Sequence, residues 1–355
     1  MPPVPSAPPG LGPHCVGRRV VVRRVLAGRT GPSGGPAMTD LLGVMETWTD
    51  TDTTVRAEDG TTTRILLRDI VSGKPVPPRP SPRMRVSPEQ ACLMSNASWP
   101  AVHTEPLGDW LLRASGGFSA RANSVMAVGD PGMPFQAAVE AVLGFYAAHD
   151  LPAWAQVVVG SDPSRELAAA GWVSARPGEA DSHFQLASVA AAARAVRSLS
   201  PGASGVSLSI GTTATSAWLA NDERALSHPA DAIAVLQGPE RVGFVCVRSP
   251  DGPWSDEAPL WAKGRVACDG DWAGITDVWV SPDHRRAGLG LVVMAALLEW
   301  AAERGATTAY LQVRGDNPAG LGLYDRLGLR THHTYRYLAH PSTSGQEHKT
   351  VSDGA

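Results

Sequence analysis

The residues most clearly suited to a chemical function lie between Val278 and Gly290, where a predicted strand is followed by a predicted helix. This stretch contains the arginine pair Arg285 and Arg286, followed by Gly288 and Gly290. The start of a helix has backbone N–H groups without partners and carries the positive end of the helix dipole. Glycines let a large anion approach these groups, and arginines add charge-assisted hydrogen bonds. The spacing therefore predicts a binding site for a diphosphate.

The same spacing excludes the commoner phosphate-binding loops. The Gly-Lys-Ser/Thr of nucleoside triphosphate loops does not occur here, and Gly288 and Gly290 lack the third glycine of the dinucleotide fingerprint. The order Arg285-x-x-Gly288-x-Gly290 instead resembles the coenzyme A signature of the GCN5-related N-acetyltransferases. The alternative interpretation is a helix whose first turn is made flexible by glycine and lies beside a pair of solvated arginines.

A second stretch, residues 310–329, resembles the other signature of this family. It reads as a strand, then Asn-x-Ala beginning at Asn317, then Leu-Tyr-x-x-Leu-Gly around Tyr324. It is especially similar to the enzymes that acetylate the N-termini of ribosomal proteins. Two such motifs in this order, separated by one helix and one strand, favour the family over the alternative. The resemblance covers residues 231–338.

The resemblance implies a mechanism and a set of binding residues. Acetyl-coenzyme A would be the acyl donor, no metal would be needed, and an amine would attack the thioester without a covalent enzyme intermediate. Two parallel strands, Ile275–Val280 and Thr308–Val313, would splay apart and bind the pantetheine arm like an added strand. Tyr324 would donate a proton to the departing thiolate, although a tyrosine here could also serve packing. The implied coenzyme-binding residues are Val278, Val280, Arg285, Arg286, Ala287, Gly288, Leu289, Gly290, Asn317 and Ala319. Asn317 could equally cap a helix.

The proton acceptor is where this chain departs from the family pattern. The related N-terminal acetyltransferases carry a glutamate where this chain has Gln312, and an amide cannot accept the proton. Gln312 thus becomes a candidate substrate-binding residue, and the base lies elsewhere, acts through water or is absent. Among the aspartates before the coenzyme loop, Asp277 is the candidate base. Strand alternation places it on the face opposite Val278.

The elements that must position these residues fall into three segments. Residues 15–76 predict a small all-β domain that looks like an SH3-like barrel, followed by a proline-rich linker over 77–85. Residues 86–195 and 203–340 predict two α/β segments, so the fold class is an α/β fold with two acetyltransferase-like halves. Residues 1–14 and 341–355 are expected to be disordered. Within the last half, helices are predicted at Ala217–Leu226, Leu291–Arg304 and Ala319–Leu327, and strands at Ala232–Leu236, Val242–Arg248 and His332–Leu338, besides the two named above.

The middle segment resembles the degenerate half of tandem acetyltransferases, because no Arg-x-x-Gly-x-Gly follows a strand in it. Its most distinctive run extends from Gly116 to Ser124. Two interpretations stay open for this run. It is either a wall of the acceptor site, with Arg121 and Asn123 facing the notch, or a glycine hairpin with polar surface residues.

Composition limits the remaining possibilities. With 43% hydrophobic and 18% charged residues and a net charge of −3, the 355-residue chain has enough apolar content for packed cores and no general attraction to nucleic acid or anionic membranes. Scattered cysteines and the lack of a signal peptide or long apolar run predict a cytoplasmic protein. The abundance of arginine over lysine is typical of a GC-rich bacterial genome.

Two functional hypotheses remain beside an enzyme that acetylates a small molecule, peptide or protein amine. The first is a non-catalytic acyl-coenzyme-A-binding regulator, motivated by Gln312. The second makes the barrel a tether to protein or nucleic acid, although its basic cluster is accompanied by acidic residues nearby in sequence.

Overall fold

The computed structural model describes residues 10–31, 34–57, 59–76, 82–199, 205–252 and 255–343. The chain divides into two compact units, residues 1–81 and 82–355. The disorder expected at the ends falls largely on residues 1–9 and 344–355, which lie outside the described residues, as do residues 77–81 of the expected linker. No helix among the described residues is long and apolar enough to cross a membrane.

The first unit is a five-stranded antiparallel sheet in the order β4-β3-β2-β1-β5. Its core includes Val20, Val22 and Met45, together with Leu11 and Cys15 from the segment before the first strand. Residues 10–14 belong to the segment expected to be disordered, and of these Leu11 is buried in this core. The SH3-like assignment stays a prediction. The strands are β1 (Arg19–Thr30), β2 (Pro36–Trp48), β3 (Asp52–Ala57), β4 (Thr62–Leu66) and β5 (Ile70–Pro75).

The second unit is built on one twelve-stranded sheet, counted over the described residues. The strands run in the order β12-β13-β14-β15-β16-β11-β17-β9-β8-β7-β6, and β10 pairs with β17. They are β6 (His103–Leu107), β7 (Trp110–Ala114), β8 (Val125–Ala127), β9 (Trp154–Val158), β10 (Val173–Ser174), β11 (Ser182–Ser188), β12 (Ser207–Gly211), β13 (Val242–Arg248), β14 (Ala262–Asp269), β15 (Trp272–Val280), β16 (Thr308–Arg314) and β17 (Arg330–Ala339).

Helices cover this sheet, and α8 packs against β13, β14, β15 and α4. Nine of the fifteen residues of α8 are buried, as expected for a helix enclosed between a sheet and another helix. The helices are α1 (Pro88–Asn96), α2 (Phe135–Ala148), α3 (Asp162–Ala169), α4 (Val189–Leu199), α5 (Ser216–Leu219), α6 (Glu223–Ser227), α7 (Pro229–Gln237), α8 (Leu289–Glu303) and α9 (Pro318–Arg326).

The two predicted α/β halves exchange strands. β11 belongs to the middle segment of the sequence, yet it pairs with β16 and β17 of the last segment. β17 in turn pairs with β9 of the middle segment. The halves thus share one continuous sheet.

Two local predictions were wrong. Ala232–Leu236 was expected as a strand but lies in α7, where Pro229 stands in the first turn and Ala232, Val235 and Leu236 are buried at helical spacing. The single helix expected over Ala217–Leu226 is divided into α5 and α6, because the side chain of Asp222 caps the start of α6. The long helix, the two parallel strands and α9 are confirmed in place.

Candidate active site

The strands β15 and β16 lie parallel for only part of their length. Their pairing runs from Trp272 opposite Thr308 to Ile275 opposite Leu311. Beyond that point β15 continues along β14 and β16 continues along β11, so the pair separates towards its C-terminal ends. The predicted splay is thus present. A cleft opens there, lined by residues 275–278 of β15 and by Leu311, Gln312 and Arg314 of β16.

The loop after β15 carries the predicted diphosphate site. Arg285, Arg286, Ala287 and Gly288 are all exposed, and Leu289 and Gly290 begin α8. Gly288 adopts the left-handed conformation with φ of 80°, and Arg286 also has a positive φ of 66°. Left-handed residues curl a short segment so that successive N–H groups face one concavity, which suits an anion.

The start of α8 has no side-chain cap, since Gly288 occupies the N-cap position. Five other described helices are capped by Ser, Thr, Asp or Asn side chains. The first N–H groups of α8, those of Leu289 and Gly290, have no acceptor within the helix. This exposed, uncapped helix start fits the diphosphate of a coenzyme A donor.

Tyr324 projects from α9 and lines the cleft, although only 2% of its surface is exposed. Burial raises the pKa of its hydroxyl above the ordinary tyrosine value. The side chain therefore holds its proton near neutral pH, as a proton donor must.

Asn317 caps α9, and its Oδ1 accepts a hydrogen bond of 2.9 Å from the Gly320 amide. The capping role that the sequence left open is therefore present. Ala319 is exposed in the first turn of the same helix. Val278 is buried at the cleft and Val280 packs against the main core.

Asp277 lies at an irregularity in β15. The register of β14 against β15 shifts between Lys263 and Arg265, and Asp277 has a positive φ of 54°. Such a bulge redirects a side chain, and Asp277 and Val278 both line the cleft. The Val278 side chain packs in the core under α8, whereas the Asp277 side chain contacts Arg224 of α6, so the two still point to opposite faces, as alternation predicted.

Arg224 fixes one oxygen of the Asp277 carboxylate. Its guanidinium forms a bidentate salt bridge with Asp222, with Nε 2.9 Å from Oδ1 and Nη2 2.7 Å from Oδ2. The same Nη2 lies 3.3 Å from Asp277 Oδ1. Burial raises the pKa of Asp222, but the hydrogen bonds and charge of Arg224, the charge of Lys263 and the Ala225 amide together hold this pKa below its ordinary value. Oδ2 of Asp277 is buried and has no hydrogen-bond partner among the described residues. Asp277 thus brings a carboxylate to the cleft with one oxygen that no described residue bonds.

Lys263 provides a further positive charge that attracts the Asp277 carboxylate. Its Nζ donates a 2.7 Å bond to the Trp218 carbonyl and lies 4.2 Å from the centre of the Trp218 ring. Burial lowers the pKa of Lys263, and attraction to Asp277 and Asp222 only partly offsets that effect.

Gln312 is held by the opposite wall. The Tyr335 hydroxyl donates a 2.7 Å hydrogen bond to Gln312 Oε1, and both residues line the cleft. Because that bond uses Oε1, the amide presents its Nε2 hydrogens as donors.

The middle segment contributes directly to this cleft through Trp99, Ser119 and Arg121. The guanidinium of Arg121 lies 4.8 Å from the centre of the Trp99 ring. Asn123 is buried and does not line the cleft; its Oδ1 accepts from the amides of Ser115 and Gly117. The structure thus brings Arg121 to the cleft and uses Asn123 to hold the glycine turn.

Several cleft residues were missed from the sequence, among them Arg224, Tyr335 and Ser182. The only local signal was the Asp222 cap, which marks the start of the helix carrying Arg224. Tyr335 and Ser182 reach the cleft through the strand exchange, for which adjacent sequence gives no sign.

Comparisons with known proteins agree with this architecture. Residues 87–338 match the family described as "Probable histone acetyltransferase Rv0428c C-terminal". The chain is 30% identical over 255 residues to the uncharacterized N-acetyltransferase YobR of Bacillus subtilis, covering 68% of this chain and 95% of that protein. It is 29% identical over 336 residues to the probable histone acetyltransferase Rv0428c of Mycobacterium tuberculosis, covering 93% and 95% of the two chains.

A solved GCN5-related N-acetyltransferase from Kribbella flavida shares the fold, with a TM-score of 0.50 and 18% identity over 71% of this chain and 95% of that one. Fold and relatives together define the class of protein as an acyltransferase. The chain belongs to the matched family, within the GCN5-related N-acetyltransferase superfamily.

Proposed function

We propose that the protein acetylates a primary amine in the cleft between β15 and β16, with acetyl-coenzyme A as donor. One observation carries the proposal: the separating strands and the uncapped start of α8 lie at the same end of β15, beside Tyr324 and Asp277. When bound, the donor supplies an acetyl group activated as a thioester.

The binding residues follow from this placement. The separated backbone of β15 at Val278 and Val280 offers hydrogen-bonding groups to an extended pantetheine arm, and Asn317 and Ala319 flank it from α9. The amides at Gly288, Leu289 and Gly290, with the Ala287 backbone and the charges of Arg285 and Arg286, would hold the diphosphate.

Two proton transfers accompany the exchange of bonds. The amine nitrogen bonds to the carbonyl carbon as the carbon–sulfur bond breaks. Before the attack, the Asp277 carboxylate accepts the proton that the ammonium loses. As the bonds exchange, the Tyr324 hydroxyl donates a proton to the departing sulfur and regains one from the nitrogen as the amide forms. Holding amine and thioester in contact supplies much of the remaining rate enhancement.

The regulator hypothesis is not favoured. It was motivated by Gln312, which cannot act as a base, but Asp277 brings a carboxylate to the same cleft. The loss of the family glutamate therefore does not imply the loss of catalysis.

The substitution Tyr324→Phe tests the assignment of the acid. We expect kcat for acetyl transfer to fall by about 10²- to 10⁴-fold, because the thiolate loses its proton donor. Acetyl-coenzyme A affinity, measured by calorimetry, should stay unchanged. Tyr337→Phe is the matched control, since it removes another buried tyrosine hydroxyl that does not line the cleft. Equal kcat in wild type and Tyr324→Phe would remove Tyr324 from the mechanism.

A further inference from the structure

The cleft is closed at its inner end, where β15 and β16 stop pairing. The last paired residues are Ile275 and Leu311, which lie directly opposite each other. Both side chains line the cleft, and each residue is only 2% exposed. Both also belong to the core under α8, so they project to the same face of the sheet. These two branched aliphatic side chains, called here the floor pair, form the innermost wall of the cleft.

Two further residues extend this apolar wall. Val278 and Tyr324 line the cleft and pack in the same core as the floor pair. The Asp277 carboxylate lies on the other face of β15, where it contacts Arg224. The cleft therefore has an apolar side that faces α8 and α9, and a polar side that carries the candidate base.

The sheet beside the floor pair is tightly packed on its polar face. Gly274 precedes Ile275 and lies opposite Tyr310. A Cβ added to Gly274 would come within 2.5 Å of the Tyr310 hydroxyl oxygen. That hydroxyl is held in place, because it donates a 3.2 Å hydrogen bond to the Ser95 carbonyl and also bonds Ser98. The strands therefore have no free space on this face into which they could shift.

The other face of the sheet is equally full. The core that contains the floor pair also contains four fully buried residues of α8, namely Val293, Met294, Leu297 and Leu298. Protein interiors are packed as densely as organic crystals, and an extra methylene in such a site forces side chains or backbone to move. The floor pair is thus a rigid end to the cleft.

We propose that the floor pair sets the length of the acyl group, admitting acetyl and rejecting longer straight chains. The candidate diphosphate site lies beyond the C-terminal end of β15, and the strands meet again at the floor pair. An arm that follows β15 inwards therefore brings the acyl end of the donor closest to Ile275 and Leu311. Every added methylene must then displace a packed side chain. This inference rests on the proposed acetyl transfer.

The first test measures donor binding without any acceptor. Calorimetry on the full chain compares free coenzyme A with acetyl-, propionyl- and butyryl-coenzyme A. One methylene too many in an apolar pocket changes discrimination by about tenfold or more. We therefore expect the Kd of butyryl-coenzyme A to exceed that of acetyl-coenzyme A by at least about tenfold. The kcat/KM values with any amine that is acetylated should follow the same order.

Variants that shorten the floor pair should reverse this preference. Leu311→Ala removes three side-chain carbons, which makes room for the two methylenes that distinguish butyryl from acetyl. Each buried methylene improves affinity by about fourfold. Leu311→Ala should therefore bind butyryl-coenzyme A about tenfold or more tightly than the wild type does, with an unchanged Kd for free coenzyme A. Ile275→Val removes a single methylene, disturbs the core less, and should admit propionyl-coenzyme A.

Leu298→Ala is the matched control for the size of the deletion. Leu298 is fully buried in the same core, and it is not among the described residues that line the cleft. This variant should keep the wild-type order of affinities for the acyl donors. Thermal unfolding of each variant establishes that it is folded, and Ile275→Val decides the question if Leu311→Ala does not fold.

The outcomes distinguish this inference from the proposed function. Equal affinity and equal turnover with acetyl- and butyryl-coenzyme A in the wild type would overturn the inference and leave acetyl transfer intact. A wild-type order of affinities in the folded floor-pair variants would also overturn it, as would the loss of that order in Leu298→Ala. If neither coenzyme A nor any of its acyl forms binds, the proposed function itself is wrong.

Discussion

The substitution Gly288→Ala distinguishes the contribution of Gly288 to the stability of the fold from its contribution to donor binding. Gly288 has a φ of 80°, and an added Cβ would meet no heavy atom within 4 Å. The cost is therefore conformational, about 1–2 kcal/mol for an L-residue in the left-handed region. Reduced freedom of the unfolded chain offsets about 0.4–1 kcal/mol of that. We expect Gly288→Ala to lower the free energy of unfolding by about 1 kcal/mol.

Gly290 provides a matched control two residues away. It has helical geometry, and an added Cβ would lie 3.3 Å from Leu323 Cδ2, the end of a flexible side chain. Alanine is favoured over glycine inside a helix by about 0.8–1 kcal/mol. Gly290→Ala should therefore leave the free energy of unfolding equal or slightly higher, so in urea denaturation only Gly288→Ala should lose stability.

Gly288→Ala and Gly290→Ala should differ most clearly in their affinity for the donor. If the alanine in Gly288→Ala relieves its strain by leaving the left-handed region, the amides of Leu289 and Gly290 no longer face a common point. Each charge-assisted hydrogen bond lost costs about 1.5–3 kcal/mol, so the coenzyme A Kd from calorimetry should rise about tenfold or more. Gly290→Ala should stay close to wild type. Wild-type affinity in Gly288→Ala, or an equal loss in both variants, would refute this account of the loop.

Two further predictions concern titrating groups. Asp277→Asn should lower kcat by about 10²- to 10⁴-fold with little change in the acetyl-coenzyme A Kd, because an amide cannot take the ammonium proton; an unchanged kcat would place the base elsewhere. Burial lowers the pKa of His333 to about 4, from an ordinary value of 6.5. The unfolded chain therefore binds the extra proton first, and stability falls by up to about 3 kcal/mol as pH drops from 6.5 to 4. His333→Gln should lose that part of the pH dependence in thermal unfolding, and the same slope in wild type and variant would contradict it.

The loop after β15, with its proposed diphosphate site, could be predicted because the residues that indicate it are adjacent in sequence. Arginines, glycines and a following apolar helix are adjacent in sequence, and together they determine where α8 starts and which amides stay uncapped. The same holds for α9, whose start is marked by Asn317. Such features need no knowledge of distant segments.

The acceptor side of the cleft could not be predicted in the same way. Tyr335 meets Gln312 only because β11 lies between β16 and β17, a pairing between segments separated by more than one hundred residues. Asp277 was recognised as a candidate, but its direction depends on a bulge opposite β14. The α7 error has a similar cause: the Ala-Ile-Ala-Val-Leu run suits a strand or a helix, and packing decided.

The proposed reaction requires that one cleft bring a donor thioester and an acceptor amine into contact. Its most direct test measures both products of the wild-type protein at once, free coenzyme A by thiol assay and the N-acetylated amine by mass spectrometry. We expect the two products to form at equal rates, with no acetyl group left on the protein. Thiol release without acetylated amine, or an acetylated protein that forms before the product, would contradict it.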